Sequence, residues 1–140
     1  MRTSSSYVLL LLMALALAMT QSCSGLFKRY HVHIVNNLEG GITNDLYLQC
    51  KSGDDDLGMQ RVRAKDEFHF TFRKNLWGTT LYWCNFGWGK SHGGSFKVWW
   101  GGKNFTSTTG RNCVWSARND GLYLLNVRIN QFTRYYLWDK

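Results

Sequence analysis

Apolar and polar residues alternate with a period of two along most of the chain, the pattern of strands that bury one face and wet the other. Tyr30 to Asn36 sets Val32 and Ile34 on one face and His31 and His33 on the other. Leu46, Leu48 and Cys50 alternate with Tyr47 and Gln49. In Glu67 to Arg73 the rings of Phe68, Phe70 and Phe72 share a side, opposite Glu67, His69, Thr71 and Arg73. A helix would scatter those three rings around its surface. Thr79 to Asn85 turns Leu81 and Trp83 the same way, and Ser95 to Trp100 does so with Phe96, Val98 and Trp100. Cys113 to Ala117, Leu122 to Ile129 and Thr133 to Trp138 complete the predicted strands.

Turn signals separate these runs: Glu39-Gly-Gly41, Ser52-Gly53, Trp77-Gly78, Gly87 to Gly94, Gly101-Gly102 and Asn119-Asp-Gly121. Strands recurring about every 8–12 residues predict a sandwich or barrel. Fourteen glycines and no proline agree, because a strand proline removes a ladder donor. No segment after the first 25 residues shows a helical period. The expected fold is all-β: a small, disulfide-stabilised antiparallel β-sandwich in one domain, residues 26–140.

Ahead of it, Arg2 and three serines lead into the apolar run Tyr7 to Ala18, the pattern of a secretory signal. That run falls short of the about 20 apolar residues a membrane-spanning helix needs. Ser22 and Ser24 place cleavage near Ser24 or Gly25, with residues 1–25 as signal peptide. A secreted, extracellular domain without membrane insertion is expected.

Composition adds three points. Seven Trp, seven Tyr and eight Phe supply an aromatic core, each buried large side chain contributing roughly 1.5–3 kcal/mol. The formal charge is +8, of which Arg2 supplies one, spread along the chain, so acidic partners and salt-sensitive binding are expected. Of four cysteines, Cys23 leaves with the signal, and Cys50, Cys84 and Cys113 remain. A bridge from Cys84 to Cys113 would close a loop of about 30 residues, worth roughly 3–4 kcal/mol. Cys50 then stays unpaired, or pairs with Cys23 if cleavage falls ahead of it.

Candidate chemistry is sparse. Asp54, Asp55 and Asp56 are adjacent, unlike the alternate spacing of calcium-loop ligands, and read as a solvated loop or a recognition element. His31 and His33 share a face but make two metal ligands, not a closed set, so no metal and no cofactor are expected. His69 and His92 are the acid–base pair a secreted basic nuclease or glycan-acting enzyme would use, the alternative to a non-enzymatic binding role; a membrane-active defence protein is a third reading. Trp88, Trp99 and Trp100, beside glycines, are either core or an exposed stacking platform. Asn104-Phe-Thr106 is a glycosylation sequon expected on a loop.

Taken in order, Val32-His-Ile-Val-Asn-Asn-Leu38, Leu48-Gln-Cys-Lys-Ser-Gly-Asp-Asp-Asp-Leu-Gly58, Phe68-His-Phe-Thr-Phe-Arg73, Gly78-Thr-Thr-Leu-Tyr-Trp-Cys84, Cys113-Val-Trp115 and Asp120-Gly-Leu-Tyr123 resemble the plant self-incompatibility protein S1 family, the S-protein homologues. The resemblance implies a secreted β-sandwich without enzymatic activity, recognised by a plant cell-surface receptor in signalling, and no nucleic-acid partner. Members often carry a cysteine shortly before Cys-x-Trp, which Thr108 to Asn112 lacks. Loops determine the partner of such a scaffold, and the candidate recognition residues are Asp54, Asp55, Asp56, Lys90, His92, Lys103 and Arg111.

Overall fold

Inward-facing rings and aliphatic side chains bring the alternating segments together as two facing sheets. The computed structural model describes residues 6–15, 28–75 and 77–139. Strands β1 (Arg29–Asn36), β4 (Glu67–Arg73), β7 (Asn112–Arg118), β8 (Gly121–Asn126) and β9 (Gln131–Tyr136) form sheet A, in the order β4-β1-β7-β8-β9. Strands β2 (Leu46–Lys51), β3 (Asp56–Val62), β5 (Leu81–Trp88) and β6 (His92–Trp100) form sheet B, in the order β3-β2-β5-β6. Residues 6–15 form a helix, α1, with exposed side chains, and Lys103–Thr109 forms α2. Among the described residues no helix is long and apolar enough to cross a membrane. Cys23 and the cleavage point expected near Ser24 or Gly25 lie outside the described residues.

The faces of β1 and β4 are those the alternation predicts. Tyr30, Val32 and Ile34 point into the core beside Phe70 and Phe72, and His31, His33 and His69 point out. In sheet B the alternation is interrupted. Trp99 pairs with Tyr82 and Lys97 with Trp83, so Val98 is an extra residue on β6. This bulge drives the adjacent Val98 and Trp99 both fully inside, where strict alternation had placed Val98 with Trp100. On β5 it is Tyr82, Cys84 and Phe86 that are buried, with Leu81 and Trp83 only half-buried.

Aromatic contacts join the layers. Trp99 of sheet B packs on Tyr30 and Phe72 of sheet A at 5.2 and 4.7 Å between ring centroids, and Trp115 Nε1 donates to the Val98 carbonyl at 2.9 Å. Asn36 adds a polar tie. Fully buried, its Nδ2 donates to the carbonyls of Asn44 and Val62, and its Oδ1 accepts from the Leu38 amide.

Three expectations need correction. The disulfide joins Cys50 to Cys84, and Cys113 is a free, buried thiol. Antiparallel pairing sets Cys50 directly opposite Cys84 within sheet B, whereas Cys113 belongs to sheet A. The sandwich is antiparallel as expected, with the single parallel pairing of β1 and β7 among the described strands. The acidic run is not all loop, since Asp56 opens β3, a strand hidden in the sequence by the bulge at Gly58, where φ is +79°. The sequon asparagine Asn104 lies on α2, exposed, and not on a loop.

The 34-residue separation of Cys50 and Cys84 gives about 3–4 kcal/mol by loop entropy. Cys50→Ser and Cys84→Ser should each lower unfolding stability by about that amount, and equally, in guanidinium titrations. Burial pushes the Cys113 thiol far above its ordinary pKa, so Cys113 should alkylate only on unfolding; a Cys113→Ser loss matching the other two would refute this pairing.

Candidate functional site

The strand directions collect basic residues at one end of the sandwich. Arg29 pairs with Arg73 where β1 starts and β4 ends. Because β7 is parallel to β1, Arg111, the residue just before β7, arrives at the same end, its carbonyl accepting from the His31 amide at 2.8 Å. The turn after β8, with Arg128, is tied to α2 by Val127 N donating to the Thr108 carbonyl at 2.8 Å. Lys28, Lys74 and Lys103 join them: Lys28 precedes Arg29, Lys74 Nζ sits 5.9 Å over the Tyr30 ring, and Lys103 begins α2 just after β6. All seven side chains are exposed, and none is in an ion pair among the described residues.

The acidic loop faces the same end. Ser52 to Asp55 line a shallow cleft of about 460 Å³ with Arg73, Asn75 and residues 79–83. Ser52 Oγ accepts from the amide of Asp55 at 3.1 Å, and Ser52 N donates to the Asp55 carbonyl at 2.8 Å, so Asp54 and Asp55 sit exposed on a closed turn. Asp56 differs from both. It accepts from Gln49 Nε2 at 3.0 Å and from the Gly58 amide at 2.9 Å, which, with Lys51 nearby, hold its carboxyl below the usual 3.8. Asp56 therefore shapes the hairpin, while Asp54 and Asp55 remain available to a partner.

Lys103, Arg111, Asp54 and Asp55 thus share one end. Lys90 and His92 do not: the β5–β6 hairpin that carries them lies beside Asn44, Asp45 and Trp88 at the opposite end, with His92 stacked on Trp88 at 4.3 Å. Trp99 is fully buried and Trp88 and Trp100 are half-buried, so those three form no exposed platform. Trp77, 84% exposed beside Gly78, is the large aromatic that stands in water at the basic end. The sequence marks it only as a turn position.

The acid–base pair suggested for a nuclease is not assembled either, as His69 is in sheet A and His92 in sheet B. His69 instead meets His33, directly opposite it on β1, and His31. The His33 and His69 rings stack at 4.3 Å, His31 Nδ1 lies 3.3 Å from His69 Nε2, and His33 Nδ1 lies 2.9 Å from Glu67 Oε2. Desolvation, then the neighbouring imidazoles, lowers the His69 pKa below its ordinary 6.5. Alternation places His69 outward; only the strand pairing shows which residues it faces.

Residues 31–138 match the model of the plant self-incompatibility protein S1 family. The chain belongs to this family of secreted plant proteins. S-protein homolog 74 of Arabidopsis thaliana is 37% identical over 105 residues, covering 74% of this chain and 68% of the relative. S-protein homolog 1 of the same plant is 34% identical over 100 residues, covering 71% and 64%. A solved structure of self-incompatibility protein homologues, described as small, highly stable, secreted proteins from plants, superposes with a TM-score of 0.62 at 20% identity, over 81% of this chain and 97% of that one. The S-protein homologues are not a known enzyme family.

A carboxylate whose pKa is lowered by folding contributes stability above its unfolded value and loses it as pH falls through the folded one. Asp56→Ala should therefore flatten the acid side of the stability curve, measured as melting temperature between about pH 5 and 2. An unchanged acid slope would show that the Gln49 and Gly58 hydrogen bonds contribute nothing.

Proposed function

We propose that this S-protein homologue is an extracellular signalling ligand, and not an enzyme, read by a plant cell-surface receptor through its basic end. The observation that carries this reading is the gathering of seven exposed cations, none in an ion pair among the described residues, at the end of the sandwich that also carries the exposed Trp77. Unpaired surface charge steers encounter with an acidic partner, and Trp and Arg are the residues that most often dominate protein interfaces. The receptor face would be acidic, with an apolar recess for the indole. Asp54 and Asp55, exposed acids on this cationic end, add a position that a purely polyanionic partner would repel, which favours a patterned protein surface over a uniform polymer.

The test is binding of labelled protein to intact plant cells. Saturable binding is expected, with Arg73→Glu combined with Lys103→Glu, and separately Trp77→Ala, each weakening it about tenfold, or about 1.4 kcal/mol. Lys90→Glu, at the opposite end, should change it by less than about twofold. Non-saturable adsorption, or equal sensitivity at both ends, would overturn the reading.

A further inference from the structure

We propose that the outer face of sheet A holds a binding site for a borderline divalent transition-metal ion, Zn²⁺ or Cu²⁺, formed by His31, His33 and His69. The inference is independent of the receptor reading, because these residues lie on the sheet face and not among the end loops.

The backbone supplies the frame. His31 and His33 are two apart on β1, so both point to the outer face, and His69 on β4 stands directly across from His33. Two rungs of one antiparallel ladder thus present three imidazoles to water, with His31 and His33 half-buried and His69 exposed. Imidazole nitrogens suit zinc and copper, whereas calcium and magnesium take oxygen ligands.

The nitrogen geometry points the same way. His31 Nδ1 and His69 Nε2 lie 3.3 Å apart, which is the separation of two nitrogens each about 2.0–2.1 Å from one tetrahedral ion. In the metal-free protein one of these nitrogens carries a proton that the other accepts. The ion takes that proton's place between them, and the proton moves through solvent to the other nitrogen of the same ring, which stays neutral. His33 donates from Nδ1 to Glu67 Oε2 at 2.9 Å, leaving its lone pair on Nε2. A carboxylate fixing the far nitrogen of a ligating histidine is the usual outer-shell arrangement of metal sites. Glu67 also brings negative charge to a face whose other nearby charges, Arg29 and Arg73, are positive.

Among the described residues no three His, Cys, Asp or Glu side chains are already arranged as a ligand set. What separates the trio from one is ring orientation: His33 lies flat on His69, the planes 7° apart. Closure takes a tilt of the half-buried His33 ring out of that stack that keeps its Nδ1 hydrogen bond to Glu67, with water completing the coordination. Because β4 is an edge strand of sheet A, an ion held by β1 and β4 together staples that edge.

The experiment is calorimetric titration of the untagged protein with Zn²⁺, with Mg²⁺ as comparison, followed by thermal melting with and without Zn²⁺. One Zn²⁺ per chain and a raised melting temperature are expected. Each of His31→Asn, His33→Asn and His69→Asn should weaken Zn²⁺ binding by tenfold or more, and Glu67→Gln by about tenfold. His92→Asn should leave it unchanged. In the unsubstituted protein, substoichiometric Cu²⁺ should broaden the imidazole NMR signals of His31, His33 and His69 before that of His92. Zn²⁺ binding no stronger than Mg²⁺ binding, binding retained by the triple His→Asn variant, or uniform broadening of all four histidines would overturn the proposal.

Discussion

The two-sided pairing of β1 is the constraint on which the rest of the molecule depends. This strand runs antiparallel to β4 on one edge and parallel to β7 on the other. Its register sends Tyr30, Val32 and Ile34 into the core and His31 and His33 out of it. A slip of one residue would exchange the two sets, exposing three apolar side chains and burying two imidazoles, so burial itself specifies the register. Asn36 locks the strand's end. Its amide meets two carbonyls and a backbone N–H in the interior, and any shift would strand those groups without partners, at about 1–3 kcal/mol each.

The layers adhere by a different means from the one that strengthens each sheet. The Cys50–Cys84 bridge lies within sheet B and joins strands that are already neighbours. It acts chiefly by restricting the unfolded chain and not by holding one layer to the other. Adhesion between layers comes from burial, with Trp99 among Tyr30, Phe72 and Phe105 and with Trp115 bonded across to the Val98 carbonyl. The bulge that puts Val98 and Trp99 inside together is what makes both contacts possible from one strand. A reduced protein would accordingly keep its sandwich packing while losing stability.

The strands with strict alternation, β1 and β4, were legible in the sequence to the face of each side chain. Legibility failed wherever an extra residue entered a ladder. Val98 shifted the phase of β6, and Gly58 with the acidic run masked β3 altogether. The short helix α2 has no apolar stripe long enough to show a period, although Phe105 and Thr109, four apart, are its buried residues. Partnerships between distant segments were beyond any local pattern. Cys50 with Cys84, the parallel pairing of β1 with β7, and His69 with His33 all follow from strand order, which alternation does not encode. The same holds for the basic end: its cations are scattered in the chain and meet only because β1 and β7 start, and β4 finishes, at one place.

The two proposed surfaces share one strand, β1, and that has an energetic consequence. Arg29 is two residues from His31 along β1, about 7 Å at strand rise, within the screening length of about 8 Å at physiological ionic strength. A divalent ion on the histidines would add charge to the field of the basic end at its nearest edge and be opposed by it, with Glu67 on the far side of His33 partly offsetting the repulsion. The two proposed sites would therefore be coupled through electrostatics without any change of shape, and the coupling would be reciprocal. An acidic partner docked on Arg29 and Arg73 would neutralise the repulsion and strengthen metal binding, and a bound ion would strengthen the partner's attachment by the same factor. Lys90, at the other end of the sandwich, lies outside this screened range and takes no part in it.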